Sequence, residues 1–316
     1  MKTSPHRPYD VNNGIYHGAG MTEQQTAQPF ELLSPARWAA PAIFASPHSG
    51  RCYSRAFLDQ SRLLPQALRK SEDCYVDELF LSCLDFGAPM LRANVPRAFV
   101  DLNREPYELD RRMFADELPG YVNSTSARVA GGLGTIPRIV AEGEDIYRGL
   151  LRFADALERI NSIYLPYHRT LAALFDEVVR ENGAALLVDC HSMPASALTH
   201  VPQAMTGVID VVIGDRFCVA CSEELTAYLE EIFRAEGLRV LRNKPYAGGF
   251  ITQSHGAPAT GRHALQIEIN RSLYLSEPGY EKSAGFLPLR KSIAAVLGKF
   301  LPELEAWLAP RRQAAE

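Results

Sequence analysis

The chain is poor in the features that mark specialised protein classes. Six cysteines in 316 residues (Cys52, Cys74, Cys83, Cys190, Cys218 and Cys221) are too sparse for a disulfide-stapled scaffold, so reduced thiols are expected. No apolar run approaches the roughly 18 residues that a membrane helix needs. The opening Met1-Lys-Thr-Ser-Pro-His-Arg-Pro8 lacks the apolar core of a signal peptide, and a cytoplasmic location follows as the expectation. Charge of one sign is also missing. The net charge of −4 and pI near 6.1 give no electrostatic reason to expect nucleic acid or an anionic membrane as partner. Gly131-Gly-Leu-Gly134 lacks the G-x-G-x-x-G spacing of a dinucleotide site and reads as a surface loop. There is no internal repeat or low-complexity run.

What is present is an ordinary globular composition, 47% apolar and 22% charged. Within it, apolar runs repeatedly end in reactive side chains. Ala184-Ala-Leu-Leu-Val188 reads as a buried strand and stops at Asp189-Cys-His191-Ser192. Pro41–Ser46 runs into Pro47-His48-Ser49-Gly50, Arg97–Val100 into Asp101-Leu-Asn103-Arg104, and His263–Ile267 into Glu268-Ile-Asn270-Arg271. In open α/β sheets ligands gather at the carboxyl ends of the strands. Four such ends on one edge of a parallel or mixed sheet would assemble one site.

Between these runs lie helical signals. Val76, Leu79, Phe80, Cys83, Leu84 and Phe86 recur at helical spacing and Gly87 stops the run, with Glu72 and Asp73 at its start. Residues 144–182 suggest one long helix or two, interrupted near Pro166, with Tyr167 and His168 as packing residues. Further strands are expected at Met90–Asn94, Val208–Ile213 and Leu238–Arg242, a helix at Ser222–Glu236, and closing helices over 278–308. Cys218-Val-Ala-Cys221 reads as the packed first turn of a helix. The alternation predicts a three-layer α/β/α sandwich with a central mixed sheet. Residues 31–316 form one domain in this reading, and residues 1–30, including His6 and His17, a loosely packed arm.

His48, Asp73 and His191 together offer two imidazoles and a carboxylate, a set that binds a catalytic metal and leaves a position for water. Asp189, two residues before His191, could orient that ring through its other nitrogen. Glu268 is the strand-end acid suited to take a proton from an activated water. Arg104, Arg216 and Arg271 each follow a strand, and guanidinium forks grip carboxylates, which suggests an anionic substrate. Cys190 beside His191 would point to the opposite face of a strand, which argues against a thiol nucleophile.

Seven segments, in order, resemble the N-formylglutamate amidohydrolase family: Ser46–Gly50, Ser71–Asp77, Asp101–Arg104, Asp189–Ser192, Gly214–Arg216, Tyr246–Gly249 and Gln266–Arg271. The resemblance implies a zinc-carboxypeptidase-like fold and hydrolysis of a small anionic N-acyl amino acid, N-formyl-L-glutamate giving formate and glutamate. It implies Zn2+, or another divalent ion, on His48, His191 and Asp73 or Glu72, with Glu268 as general base. Arg104 and Asn103, with Arg271, would bind substrate carboxylates or polarise the scissile carbonyl, and Arg216 and Asn270 complete the expected substrate contacts. The chain lacks the compact H-x-x-E of carboxypeptidases proper, since Ser49, Gly50 and Arg51 follow His48, so the acidic ligand must come from the distant segment. The rival readings are a non-catalytic ligand-binding member of the fold and a thiol hydrolase acting through Cys190.

Overall fold

The apolar runs ending at Ser46, Asp189 and Glu268 become neighbouring strands of one sheet. In the computed structural model, which describes residues 28–140, 143–199, 208–276 and 279–308, the strands of that sheet are β1 (Phe30–Leu33), β2 (Ala42–Ser46), β3 (Met90–Ala93), β4 (Ala185–Met193), β5 (Val211–Gly214), β6 (Val240–Arg242) and β7 (Arg262–Asn270). Their order is β1-β3-β2-β4-β7-β5-β6. β2, β3, β4 and β7 run parallel, whereas β1 and β5 pair antiparallel with β3 and β7, so the sheet is mixed.

Side-chain alternation divides each central strand between two cores. Leu186, Val188 and Cys190 of β4 and Leu265, Ile267 and Ile269 of β7 face one core, which the helices Glu223–Ala235 and Phe286–Leu308 cover. Ala185 and Leu187 of β4 and Ala264 of β7 face the other, under the helix Leu165–Asn182. Burying each such Leu or Val is worth about 2 kcal/mol. Toward the carboxyl ends this second face changes character. Positions in phase with Leu187 become Asp189 and His191, and positions in phase with Ala264 become Gln266 and Glu268. The register sets His191 directly opposite Glu268.

The α/β sandwich with its mixed sheet is as expected, and several local readings are corrected. Arg97–Val100 is a turn rather than a strand. Pro96 has no N–H to give a ladder, and its carbonyl accepts from Phe99 N (2.9 Å) and Val100 N (3.4 Å). The helix read over 76–86 is a single turn, Val76–Leu79, followed by a 3-10 turn, Leu81–Phe86, ending at Gly87 with φ +83°. The strand read from Val208 starts at Val211, just after Asp210, whose carboxylate accepts from Arg239 N and Nε. The strand read from Leu238 starts at Val240. Cys218 precedes its helix, held with Arg216 and Phe217 in left-handed backbone, and the helix starts at Glu223. Residues 144–182 contain two helices, Phe153–Arg159 and Leu165–Asn182, joined through a π-turn, with Pro166 in the first turn of the second. Tyr167 is buried and His168 bonds Leu102 O (2.9 Å), both packing roles. The expected arm, with His6 and His17, lies outside the described residues except at its end.

Candidate active site

The site is built where β2, β4 and β7 end. After β2 the chain turns sharply. Ser46 Oγ and Ser49 Oγ are 2.6 Å apart, Ser49 Oγ accepts from Asp77 N, and a side chain at Gly50 would collide with Val95 O. That turn fixes His48, whose backbone carbonyl accepts from Asp73 N at 3.0 Å. Two segments 25 residues apart in sequence are thereby locked together.

His48, Asp73 and His191 converge, and all three are buried. Asp73 Oδ2 lies 2.8 Å from His191 Nδ1 and 3.4 Å from His48 Nδ1, and the two rings are 4.8 Å apart. The other nitrogen of each ring meets a buried carboxylate: His48 Nε2 to Asp101 Oδ1 at 2.7 Å, and His191 Nε2 to Asp189 Oδ1 at 2.9 Å. Asp101 hydrogen-bonds and so orients His48. Asp189 Oδ1 lies beside His191 Nε2 without a hydrogen bond, and Asn103 Nδ2 stands 2.9 Å from that nitrogen. Both rings leave Nδ1 facing Asp73. His48 Nδ1 is buried and has no hydrogen-bond partner, which is costly unless something is bound there. Burial works against an ionised Asp73, yet the His191 hydrogen bond and the nearby His48 imidazole hold its carboxyl well below the usual carboxylate range. Burial would likewise lower His191, but Asp189 and Asp73 outweigh it and raise the imidazole well above its ordinary value. The donor set is therefore one that a divalent cation would satisfy.

Between Glu72 and Asp73 the geometry is decisive. Glu72 turns away, with Oε1 taking the Tyr53 hydroxyl at 2.5 Å and Oε2 the Arg69 Nε at 3.2 Å. The group that could hold a metal ion is His48, Asp73 and His191.

Asp101 was legible only as part of a motif, and its role was not. Its Oδ1 also accepts from Asn103 N, and its Oδ2 takes Arg97 Nε at 2.8 Å. Asp101→Asn is expected to weaken metal binding about 10- to 100-fold. Titrating metal into the stripped protein by calorimetry checks this, and unchanged affinity would show that Asp101 does not position His48.

These residues line a cavity of about 500 Å³. Asn103 lies in its wall: Nδ2 donates to Asp189 Oδ2 (2.8 Å), Oδ1 accepts from Ile251 N (2.7 Å), and a Cβ on Gly249 would sit 2.5 Å from Nδ2. Glu268 also faces the cavity, held by Gln266 Nε2 at 2.7 Å, and burial pushes its carboxyl up to about 7. Arg104 reaches the cavity with Nε on Leu133 O and NH1 on Asn103 O. Arg271 lies at the cavity edge but spends its fork inside the protein, NH2 on Asp73 Oδ1 (2.9 Å), Nε on Ser192 Oγ and NH1 on Lys70 O. The structure does not bring Arg216 or Asn270 into the cavity. Arg216 bonds Gly248 O behind it, and Asn270 is bonded to Ile209 O and Ser272 N. Arg97 and Arg128 line the cavity and carried no distinguishing signal in the sequence, and Tyr246, which also lines it, was legible only as the start of a family-like segment. The Gly131–Gly134 segment, read as a surface loop, supplies Leu133 to the cavity wall. Cys190 is buried on the opposite face of β4, and burial raises its thiol well above the ordinary value, which removes it as a nucleophile.

Fold and site together define an α/β protein with a candidate metal centre at the carboxyl edge of its sheet. Residues 40–275 match the family model of N-formylglutamate amidohydrolase, and the chain belongs to that family. It is 30% identical over 285 residues to an N-formylglutamate deformylase of Pseudomonas aeruginosa, covering 88% of this chain and 97% of the relative. A deformylase of the same name from Pseudomonas putida is 29% identical over 291 residues, covering 90% and 99%. The crystal structure of N-formylglutamate amidohydrolase from Ralstonia eutropha JMP134 superposes with a TM-score of 0.82 at 31% identity, covering 89% of this chain and 98% of that one. Among the described residues no helix is long and apolar enough to cross a membrane.

Proposed function

We propose that this chain hydrolyses the amide of N-formyl-L-glutamate to formate and glutamate, with a divalent metal, zinc in the first instance, on His48, Asp73 and His191. The observation that carries the reading is the buried, unpartnered His48 Nδ1 facing Asp73 and His191, with His48 braced from behind by Asp101 and the Asp189 carboxylate behind His191. The deformylase relatives supply the substrate.

A divalent ion bound there supplies Lewis acidity, polarising a carbonyl and lowering the pKa of water to about 7. The protein's own groups do the rest. Glu268, opposite His191 in the register, takes a proton from the attacking water and returns it to the nitrogen as the C–N bond breaks. Arg97, whose Nε is fixed by Asp101, and Arg104, fixed by Leu133 O, offer their remaining N–H groups to the substrate's carboxylate. Asn103, clamped by Asp189 and Ile251, is rigid enough to orient the amide. Formate released from N-formyl-L-glutamate by the zinc-loaded protein is the expected result. Turnover of other N-acyl amino acids without this one would keep the chemistry and change the substrate, and no amide hydrolysis would remove both.

A further inference from the structure

The segment from Leu109 to Pro137, which the sequence marks only as a polar insertion, carries a cation into the cavity. Arg128 sits on a single helical turn, Ala127–Ala130, capped by Ser126 Oγ accepting from Val129 N and anchored by the buried Val129. Its guanidinium has one ion pair, to Glu108 at 3.9 Å, and makes no hydrogen bond among the described residues. Arg104 is tied to it through one residue: Arg104 Nε donates to Leu133 O (2.9 Å), and Leu133 N donates to Arg128 O (2.8 Å). The cavity that Arg104 and Arg128 line also has apolar wall from Leu133, Pro137, Ile139 and Val140, which follow Arg128 in the same segment. Burial, with the neighbouring charges of Arg97 and Arg128, lowers the Arg104 pKa despite Asp101 and Glu108. The cationic cluster is under-neutralised by the protein alone.

Arg97 and Arg104 are close to the candidate metal centre, where the carboxylate beside the scissile amide must lie. An apolar wall with a weakly engaged cation on it fits something further out: a short aliphatic chain ending in a second anion. We infer that Arg128 is the specificity-determining residue for the side-chain carboxylate of the substrate, selecting N-acyl derivatives of acidic amino acids over neutral ones. This rests on the proposed function and names the part of the site that reads the side chain. A site built around a charged partner rejects the analogue that lacks it far more strongly than an apolar pocket rejects a methylene.

The test compares N-formyl-L-glutamate with N-formyl-L-norvaline, which keeps the aliphatic chain and replaces the acid by a methyl group. Binding to the zinc-loaded protein is measured by calorimetry and turnover by formate release, for wild type, Arg128→Leu and Arg128→Lys. Wild type is expected to prefer the diacid, Arg128→Leu to lose about 100-fold on the diacid with little change on norvaline, and Arg128→Lys to restore part of the preference. Equal losses on both ligands would make Arg128 merely structural, and an unchanged preference in Arg128→Leu would overturn the inference. If wild type binds the diacid selectively through Arg128 but hydrolyses neither compound, the hydrolytic reading fails while the inference stands. If wild type binds the two equally, the inference fails whatever the turnover.

Discussion

Glu268→Gln is expected to reduce turnover at least about 100-fold while leaving the metal bound and making the metal-free protein more stable at neutral pH. The first effect follows from removing Glu268, the carboxylate among the described residues lining the cavity that does not pair with a histidine. The second follows from linkage. The Glu268 carboxyl stands at about 7 in the folded protein because burial disfavours its charge, against an ordinary value of 4.5. A raised carboxyl means that the folded state holds its proton longer than the unfolded state does. The cost to folding is therefore absent below pH 4.5, grows as pH rises from 4.5 to 7, and is fully present above. Gln carries no such charge and can keep accepting from Gln266 Nε2. The variant should gain roughly 2–3 kcal/mol at pH 8 and almost nothing at pH 4. Thermal unfolding of the stripped proteins at both pH values measures this. A destabilised variant at pH 8 would mean that Glu268 is held by a cation of the protein rather than kept for chemistry.

Asp73→Ala is expected to abolish metal binding and to destabilise the fold by about 3–5 kcal/mol. Asp73 does two things with its two oxygens. Oδ2 faces the two histidines, and Oδ1 takes Arg271 NH2 at 2.9 Å and Ser192 Oγ at 3.3 Å. Removing it leaves the Arg271 guanidinium buried without its carboxylate, in addition to deleting a ligand. Denaturant unfolding of the metal-free variant isolates the second effect from the first. A loss below about 1 kcal/mol would show that Arg271 finds another partner. Glu72 cannot substitute, because Tyr53 and Arg69 already hold it.

How far the sequence foretold this differs from element to element. β2 and β4 were legible because four or more consecutive apolar residues buried on both faces leave few alternatives to a central strand, and β7 because Ala264, Leu265 and Ile267 lead straight into Glu268. The turn at Arg97–Val100 has the same apolar character, but Pro96 decides its backbone, so composition misled where hydrogen-bond supply ruled. His48 and His191 stood out because each follows a buried strand. Asp101 did not, since an aspartate after an apolar run has many uses, and its contact with His48 spans 53 residues of chain. Adjacent acids such as Glu72 and Asp73 cannot be ranked by pattern, and only the direction of each side chain separates them. The arginines show the same limit: Arg271 and Arg104 each follow an apolar run, yet one braces a ligand from outside and the other opens into the cavity. Arg128 comes from an insertion with no periodicity to read.

The most direct measurement is zinc content by elemental analysis, taken alongside formate release from N-formyl-L-glutamate, on wild type and His191→Ala. The account predicts stoichiometric zinc and hydrolysis in wild type, with both lost in the variant while its far-UV circular dichroism is retained. Hydrolysis that persists in His191→Ala, or in wild type stripped of metal by a chelator, would contradict it.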